Sequence, residues 1–586
     1  MKTTTLKFLI LALLFPMMMV AQPSNWWINL INIIGSLGNN NAPNTYYWEG
    51  KVDSDWDNAA NWRSGIVPNS AQISVDIRWS SNNPVIGDSL NIEIDNLRIR
   101  FGTSLSLRNG AALTVRGDID NFGTLTKNSS AVLIQTAASD DNGGLGLYRI
   151  RRNTGFLADD RRFQYWSSPL SDETVADVFG PNAPTAGAAN PADWFYFNDL
   201  SQSWMALNGA DQLSAGYGFS STGTKGNTTP FSEIRTFQGR ALNNGAIARP
   251  NEAPNDGFIL VGNPYPSPID ALDFINAQSN ITGSIYFWDG DGDLSSSRNG
   301  GYATWNASGG TAFGKLVPDG IIRTCQSFMV QVNSNGTPPA NIVFNNSMRR
   351  NATNNLFFKN EQRQRVWISA ITEDGFFCQQ LIALMPGATP GVDQSFDGLF
   401  INDYAPLTFY SLIGEETFAI QALPRLQGNR EYHRLPLGLS INDSMSINIK
   451  LDSLNQWPAD QNVYLIDKFE NQKINLLNET YEVELNAGFN SEERFELLIE
   501  KSTYADQGLG LEQDWYVEDR IFNLFGDRVE QANELKVLGL NGAEYRRIAL
   551  DQTAEQVSVD LNGLNTGIYL VQLNGDQPSV IKIYLP

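Results

Sequence analysis

The sequence has 586 residues, enough for about three to five domains of ordinary size. Hydrophobic residues make up 42% and charged residues only 18%, with 50 Gly and 26 Pro, a turn-rich globular composition that excludes a disordered or mainly helical chain. Acidic residues outnumber basic ones by 63 to 41, a formal charge of -22 that argues against nucleic acid as a partner, and the single histidine, His433, excludes a multi-histidine metal centre.

Residues 1–21 carry Lys2 and Lys7, an apolar run from Phe8 to Val20 and the small Ala21, the pattern of a secretory signal peptide. That run is shorter than the ~20 residues of a membrane span and no later stretch reaches that length, so the chain is not expected to be an integral membrane protein. Residues 22–45 read as a linker with a short apolar patch, Trp26 to Ile34.

From residue 46 to 140 short segments alternate apolar and polar residues, as in Asn91-Ile92-Glu93-Ile94, Leu105-Ser106-Leu107 and Leu113-Thr114-Val115. Period two marks half-buried strands, and turn signals such as Asn109-Gly110 and Asn121-Phe122-Gly123 separate them. Regular short strands closed by such turns suggest a small β-solenoid, with a β-sandwich as the competing fold. Trp48, Trp56 and Trp62 precede the first clear rungs, so they suit a cap over the open end; a sugar-stacking platform is the alternative.

Residues 145–345 are strand-rich, with Arg162-Phe163-Gln164-Tyr165-Trp166, Trp194-Phe195-Tyr196-Phe197 and Ser284-Ile285-Tyr286-Phe287-Trp288, and predict a β-sandwich or jelly roll. Within them Asp289-Gly290-Asp291-Gly292-Asp293 sets three carboxylates at alternate positions, an arrangement suited to Ca²⁺, although Leu294 stands where an EF-hand loop has its glycine and no Glu follows at the twelfth position. A solvated hairpin tip of turn formers explains the same run without a metal. No other cofactor is implied. Residues 366–501 read as a third strand-rich module and residues 514–586 as a small all-β unit. Cys325 and Cys378 would close a loop of about 50 residues if oxidised, worth about 4 kcal/mol in the chain-entropy model, or else remain buried thiols.

Several segments resemble modules of secreted surface proteins of Bacteroidetes-type bacteria. Trp48-Glu49-Gly50, Asp55-Trp56-Asp57-Asn58 and Asn61-Trp62, followed by Val67-Pro68, resemble the opening of an adhesin-like β-helical module. The ordered series Phe418 to Pro424, Leu435 to Leu439, Val463 to Lys468 and Arg494 to Leu497 resembles the β-sandwich that precedes a type IX secretion signal. The end of the chain, with its Asn541-Gly542 turn and Leu564-Asn565-Thr566-Gly567-Ile568-Tyr569 step, resembles a type IX C-terminal sorting domain, although it lacks the usual Pro-Asn-Pro and ends in Leu585-Pro586. That resemblance implies Asn541, Gly542, Leu564, Gly567, Ile568 and Tyr569 as the sorting signal and outer-membrane secretion machinery as a partner.

The expectation is therefore an all-β, multidomain chain: a short N-terminal β-solenoid, β-sandwich domains and a small C-terminal sorting sandwich. It would act as a secreted or outer-membrane-attached surface protein, non-enzymatic, binding polysaccharide or a host or cell-surface ligand. The rival reading is a polysaccharide-degrading enzyme with a carboxylate pair in residues 145–345. Neither a nucleophile motif around His433 nor a phosphate-binding glycine loop is present.

Overall fold

The computed structural model describes residues 44–585 except 138–141, 180–192, 227–229, 291–299, 314–316, 334–340, 352–362, 374, 402–404, 427–431, 502–514, 519, 526–531, 540–541, 551–555, 566 and 576–578. The chain is all-β and divides into two compact units, one ending at Glu500 and a second formed mainly by residues 501–586.

The first unit opens with the β-solenoid, and the sandwich alternative for this segment is set aside by its strand pairing. Three parallel sheets form its faces: Thr45–Trp48, Ser74–Ile77, Leu97–Ile99 and Ile119–Asn121 on one; Val85–Ile86, Ser104–Leu107 and Thr124–Lys127 on the next; Asn91–Ile94, Ala112–Val115 and Val132–Gln135 on the third. Equivalent residues stack in register, Val75 on Leu97 on Ile119 and Ile92 on Leu113 on Leu133. The alternation seen in the sequence sends Ile92, Ile94, Leu105, Leu107, Leu113 and Val115 inward, where all are buried. Gly110 turns the corner with φ +79°, a conformation that L side chains rarely adopt. Ion pairs tie each rung to the next outside: Arg100 to Asp76 at 2.7 Å, Arg98 to Asp120 at 2.6 Å, and Arg116 to Glu93.

Trp48, Trp56 and Trp62 close the first end. Their rings meet edge to face, with centroids 5.0 and 4.7 Å apart, and all three are buried. Each indole N–H is satisfied by a backbone carbonyl: Asn82 for Trp48, Pro68 for Trp56 and Trp56 itself for Trp62. No face is left for a sugar to stack on. At the other end the strand Leu147–Asn153 adds to Thr124–Lys127 in parallel and then pairs antiparallel with Ile234–Gly239. The apolar core accordingly continues from the solenoid through Tyr148 and Ile150 to Trp166, Trp194, Phe219 and Phe237.

Beyond it, one sheet joins Gln164–Trp166, Phe219–Ser221, Trp194–Asn198 and Ser203–Ala206, and another joins Phe258–Gly262, Ser327–Val332, Ile281–Asp289, Gly301–Asn306 and Gly309–Thr311. The short helix Ala271–Asn276, capped by the Asp270 carboxylate on the Asp273 N–H, packs Phe274 against Phe328 and Phe344. Residues 364–501 build an eleven-stranded sheet around a core that includes Ile368, Leu407, Phe409, Leu437, Leu465 and Phe495. The second unit is a small β-sandwich of its own. A three-stranded and a four-stranded sheet bury Phe522, Leu535, Val537, Val571 and Ile583 between them.

Cys325 and Cys378 are both free thiols, which corrects the disulfide option. They belong to different cores: Cys325 lies among the residues that continue the solenoid interior, and Cys378 lies inside the eleven-stranded sheet with its Sγ 3.5 Å from the Phe409 carbonyl. Burial pushes each thiol up to about 12, so neither forms a thiolate near neutrality. Ellman's reagent should therefore detect no thiol in the folded chain and two after denaturation, and dithiothreitol should leave the melting temperature unchanged.

Three enclosed ionisable groups contribute to the pH response of this unit near neutrality. Lys127, fully buried, meets only the carbonyls of Ser129 and Asn128 at 3.3 and 3.4 Å, and burial pulls its ammonium down to about 7. Burial pushes Glu173 up to about 8 and Asp397 to about 7. A carboxyl that holds its proton more tightly folded than unfolded loses stability as pH rises through that window, while a lysine that holds it less tightly regains stability above its folded value. Stability should therefore pass through a minimum near pH 7 to 8. Lys127→Met should raise it at pH 7 by about 1–4 kcal/mol, with a smaller gain at pH 10, measured by urea unfolding.

Candidate functional site

A cavity of about 660 Å³, within the usual range for ligand sites, opens where strand ends of the two sheets in residues 145–345 converge. Pairing of Gln164 with Ser221 and of Trp194 with Ser221 brings the segment before strand Gln164–Trp166, the start of strand Trp194–Asn198 and the residues after Ser221 to one end of the first sheet. This places Asp160, Arg161, Arg162, Phe163, Asp193, Thr222 and Lys225 around the cavity. The facing wall is Trp288 with Gly290 and Gly300, from the paired strands Ile281–Asp289 and Gly301–Asn306.

Trp288 is held from behind. Its ring stacks on Tyr165 at 5.7 Å and meets Tyr302 edge-on at 5.2 Å, and the two tyrosine hydroxyls share a 2.7 Å hydrogen bond. Burial keeps both phenols protonated, with Tyr302 pushed up to about 12. The two glycines permit the wall to close. A Cβ on Gly300 would stand 2.3 Å from the Trp288 ring, and one on Gly290 would stand 2.6 Å from the Phe163 carbonyl. Arg162, almost fully buried, donates from Nη1 to the Gly290 carbonyl at 3.1 Å and so joins the two walls.

Polar groups line the cavity in both signs. Lys225 pairs with Asp193 at 3.0 Å, and Asp160 accepts the Gly226 N–H at 2.6 Å. Among the described residues two buried donors here have no hydrogen-bond acceptor: the Trp288 Nε1–H and the Arg162 Nε–H, which stands 3.9 Å from the Asp159 carboxylate. A buried unmet donor costs about 1–3 kcal/mol, and both donors belong to side chains that line the cavity.

The residues singled out in the sequence fall elsewhere or at the margin. Asp289 ends the strand beside the cavity, while Asp291 and Asp293 lie outside the described residues, as does Asn541. Among the described residues no group of three or more His, Cys, Asp and Glu side chains is placed to hold a metal ion. His433 is buried, its Nε2 2.7 Å from the Pro424 carbonyl. In the second unit Gly542 has φ +80°, Leu564 and Tyr569 are buried, the Tyr569 hydroxyl bonds the Asn565 carbonyl at 2.9 Å, and Gly567 and Ile568 begin the strand paired with Ser579–Leu585. Asp193 and Lys225 carry no local signature, and Arg162 shows only as the first residue of the aromatic segment Arg162 to Trp166. Trp288 was visible only as part of an aromatic strand.

The described residues form an all-β chain with a capped solenoid and a cavity walled by Trp288, and among them no helix is long and apolar enough to cross a membrane. The chain belongs to the family described as a domain of unknown function, DUF8693, whose model matches residues 47–499. The match ends beside Glu500, where the first compact unit also ends. No curated protein matches the sequence. Among solved structures, one titled biofilm associated protein, BSP domain, is 12% identical, with 72% of this chain and 90% of that chain covered and a TM-score of 0.13, too slight a likeness to bear on role.

Proposed function

We propose that this chain is an exported, non-enzymatic surface protein that attaches to polysaccharide, and that the cavity walled by Trp288 and Arg162 is its carbohydrate site. The observation that carries this reading is the pair of buried N–H donors without acceptors beside an aromatic wall. Sugar hydroxyls both donate and accept: they suit the two free donors and, in the other direction, the Asp193 and Asp160 carboxylates, while a pyranose face packs on an aromatic ring. The balance of acidic and basic lining residues favours a neutral or weakly charged sugar over a polyphosphate or polyanion. The signal-peptide pattern of residues 1–21 and the Leu564 to Tyr569 step support export by type IX secretion to the cell surface or beyond. No cofactor is required for this role.

Glycan-array screening of the purified mature chain, followed by calorimetry on the best ligand, tests this reading. Trp288→Phe keeps the ring wall and removes the N–H, so affinity should fall about tenfold while the melting temperature stays within a few degrees. Unchanged affinity in this variant would refute the assignment. Release of reducing ends from the bound polymer, abolished by Asp193→Asn, would instead favour the enzyme.

A further inference from the structure

The eleven-stranded sheet of residues 364–501 curls around its core without closing. Its terminal strands, Gln472–Asn475 and Tyr481–Leu485, are neighbours in the chain, yet among the described residues each is paired on one side only. Gln472–Asn475 pairs with Gln461–Asp467, and Tyr481–Leu485 with Met445–Asn455. Between them runs an open groove of about 1180 Å³, lined along the whole of Tyr481–Leu485. An unpaired strand edge presents a row of backbone donors and acceptors to which another extended chain can add.

Charge on an edge strand commonly serves to repel such addition, and Glu482 and Glu484 would do this against a neutral or acidic strand. The groove beside them argues for a more selective role. Its floor includes the buried Ile474, Tyr481, Val483 and Leu485, and Phe469 stands at one end 78% exposed. Arg494 at the base is already neutralised: it grips Asp467 from Nε and Nη2 at 2.9 and 2.7 Å, and Tyr481 donates to the same carboxylate at 2.7 Å. Burial opposes the charge of Asp467, but these partners hold its carboxyl below the usual range, so the pair is a fixed structural element. Lys468 is engaged by Glu496 at 3.2 Å. The carboxylates of Glu479, Glu482, Glu484 and Glu493 therefore dominate the groove's field.

We infer that the open seam between Gln472–Asn475 and Tyr481–Leu485 is a docking site for an extended basic segment of another polypeptide, which adds as a strand to Tyr481–Leu485. Glu482 and Glu484 are exposed and project from the same face of their strand, whereas Tyr481, Val483 and Leu485 project from the other. Residues directly opposite on an added strand would pair with them, so the segment recognised carries Lys or Arg at alternate positions with apolar residues between. This inference is independent of the carbohydrate reading, because it uses a different sheet and no residue of the Trp288 cavity.

The test uses the full mature chain and a labelled peptide of alternating Lys and Val, with an alternating Glu and Val peptide as control. Fluorescence anisotropy should show saturable binding of the basic peptide, weakened at least tenfold by 0.5 M NaCl or by the double variant Glu482→Lys, Glu484→Lys. That variant should bind the acidic peptide in its place, which a general loss of folding could not produce. Both side chains are solvent-exposed, so the melting temperature should hold. Equal binding of the two peptides by the unmodified chain, or binding unaffected by the charge reversal, would overturn the inference. So would concentration-dependent dimerisation in sedimentation that the reversal abolishes, because the seam would then be occupied by a second copy.

Discussion

A parallel β-solenoid has two raw ends, and each exposes a ring of unpaired backbone groups above an apolar interior. How the last rung is closed governs much of the first unit. Arg349, from a segment more than two hundred residues further along the chain, reaches back to it: Nη2 donates to the Leu133 carbonyl at 2.8 Å and Nη1 to the Gln135 carbonyl at 3.0 Å, both on the final strand Val132–Gln135. The same guanidinium bonds the Asn244 side chain at 3.0 Å and the Ser267 hydroxyl at 2.9 Å. Burial pulls it down to about 9, yet Arg is the side chain whose charge best survives such a site, and its flat fork serves several oxygens at once. One side chain thereby joins the solenoid to the sheets that follow, within the stretch that the single family model spans, residues 47–499.

Asp397 does similar work at the next junction. Its carboxylate accepts the Ala422 N–H at 2.7 Å inside the eleven-stranded sheet, while its backbone carbonyl accepts the Ser284 hydroxyl from the hairpin that carries Trp288. The wall of the cavity is thus braced from the neighbouring sheet. A wall held in this way would lose little side-chain freedom on taking up the proposed ligand.

The solenoid was legible in the sequence because its rule is local: an apolar residue at every second position and a turn former at each corner. The three tryptophans could be assigned to the cap because they precede the first rung, and large aromatics go first into core area. The cavity was not legible, since Arg162, Asp193, Lys225 and Trp288 are spread over more than a hundred residues and meet only through strand order. Spacing was equally silent on Cys325 and Cys378, because whether two sulfurs meet is a question of which cores they join. The Asp289 run drew notice as a cation loop, yet the neighbouring residues with a structural consequence are Gly290 and Gly300, whose missing side chains let the Trp288 wall close.

Tryptophans cover one end of the solenoid, and at the other Leu147–Asn153 extends one face while Arg349 binds the last strand of another. Repeat folds left open at their ends tend to grow head to tail into fibres. Here the stack is a spacer of set length, its rungs about 4.8 Å apart. Growth of one copy upon another through the ends of this stack is thereby closed.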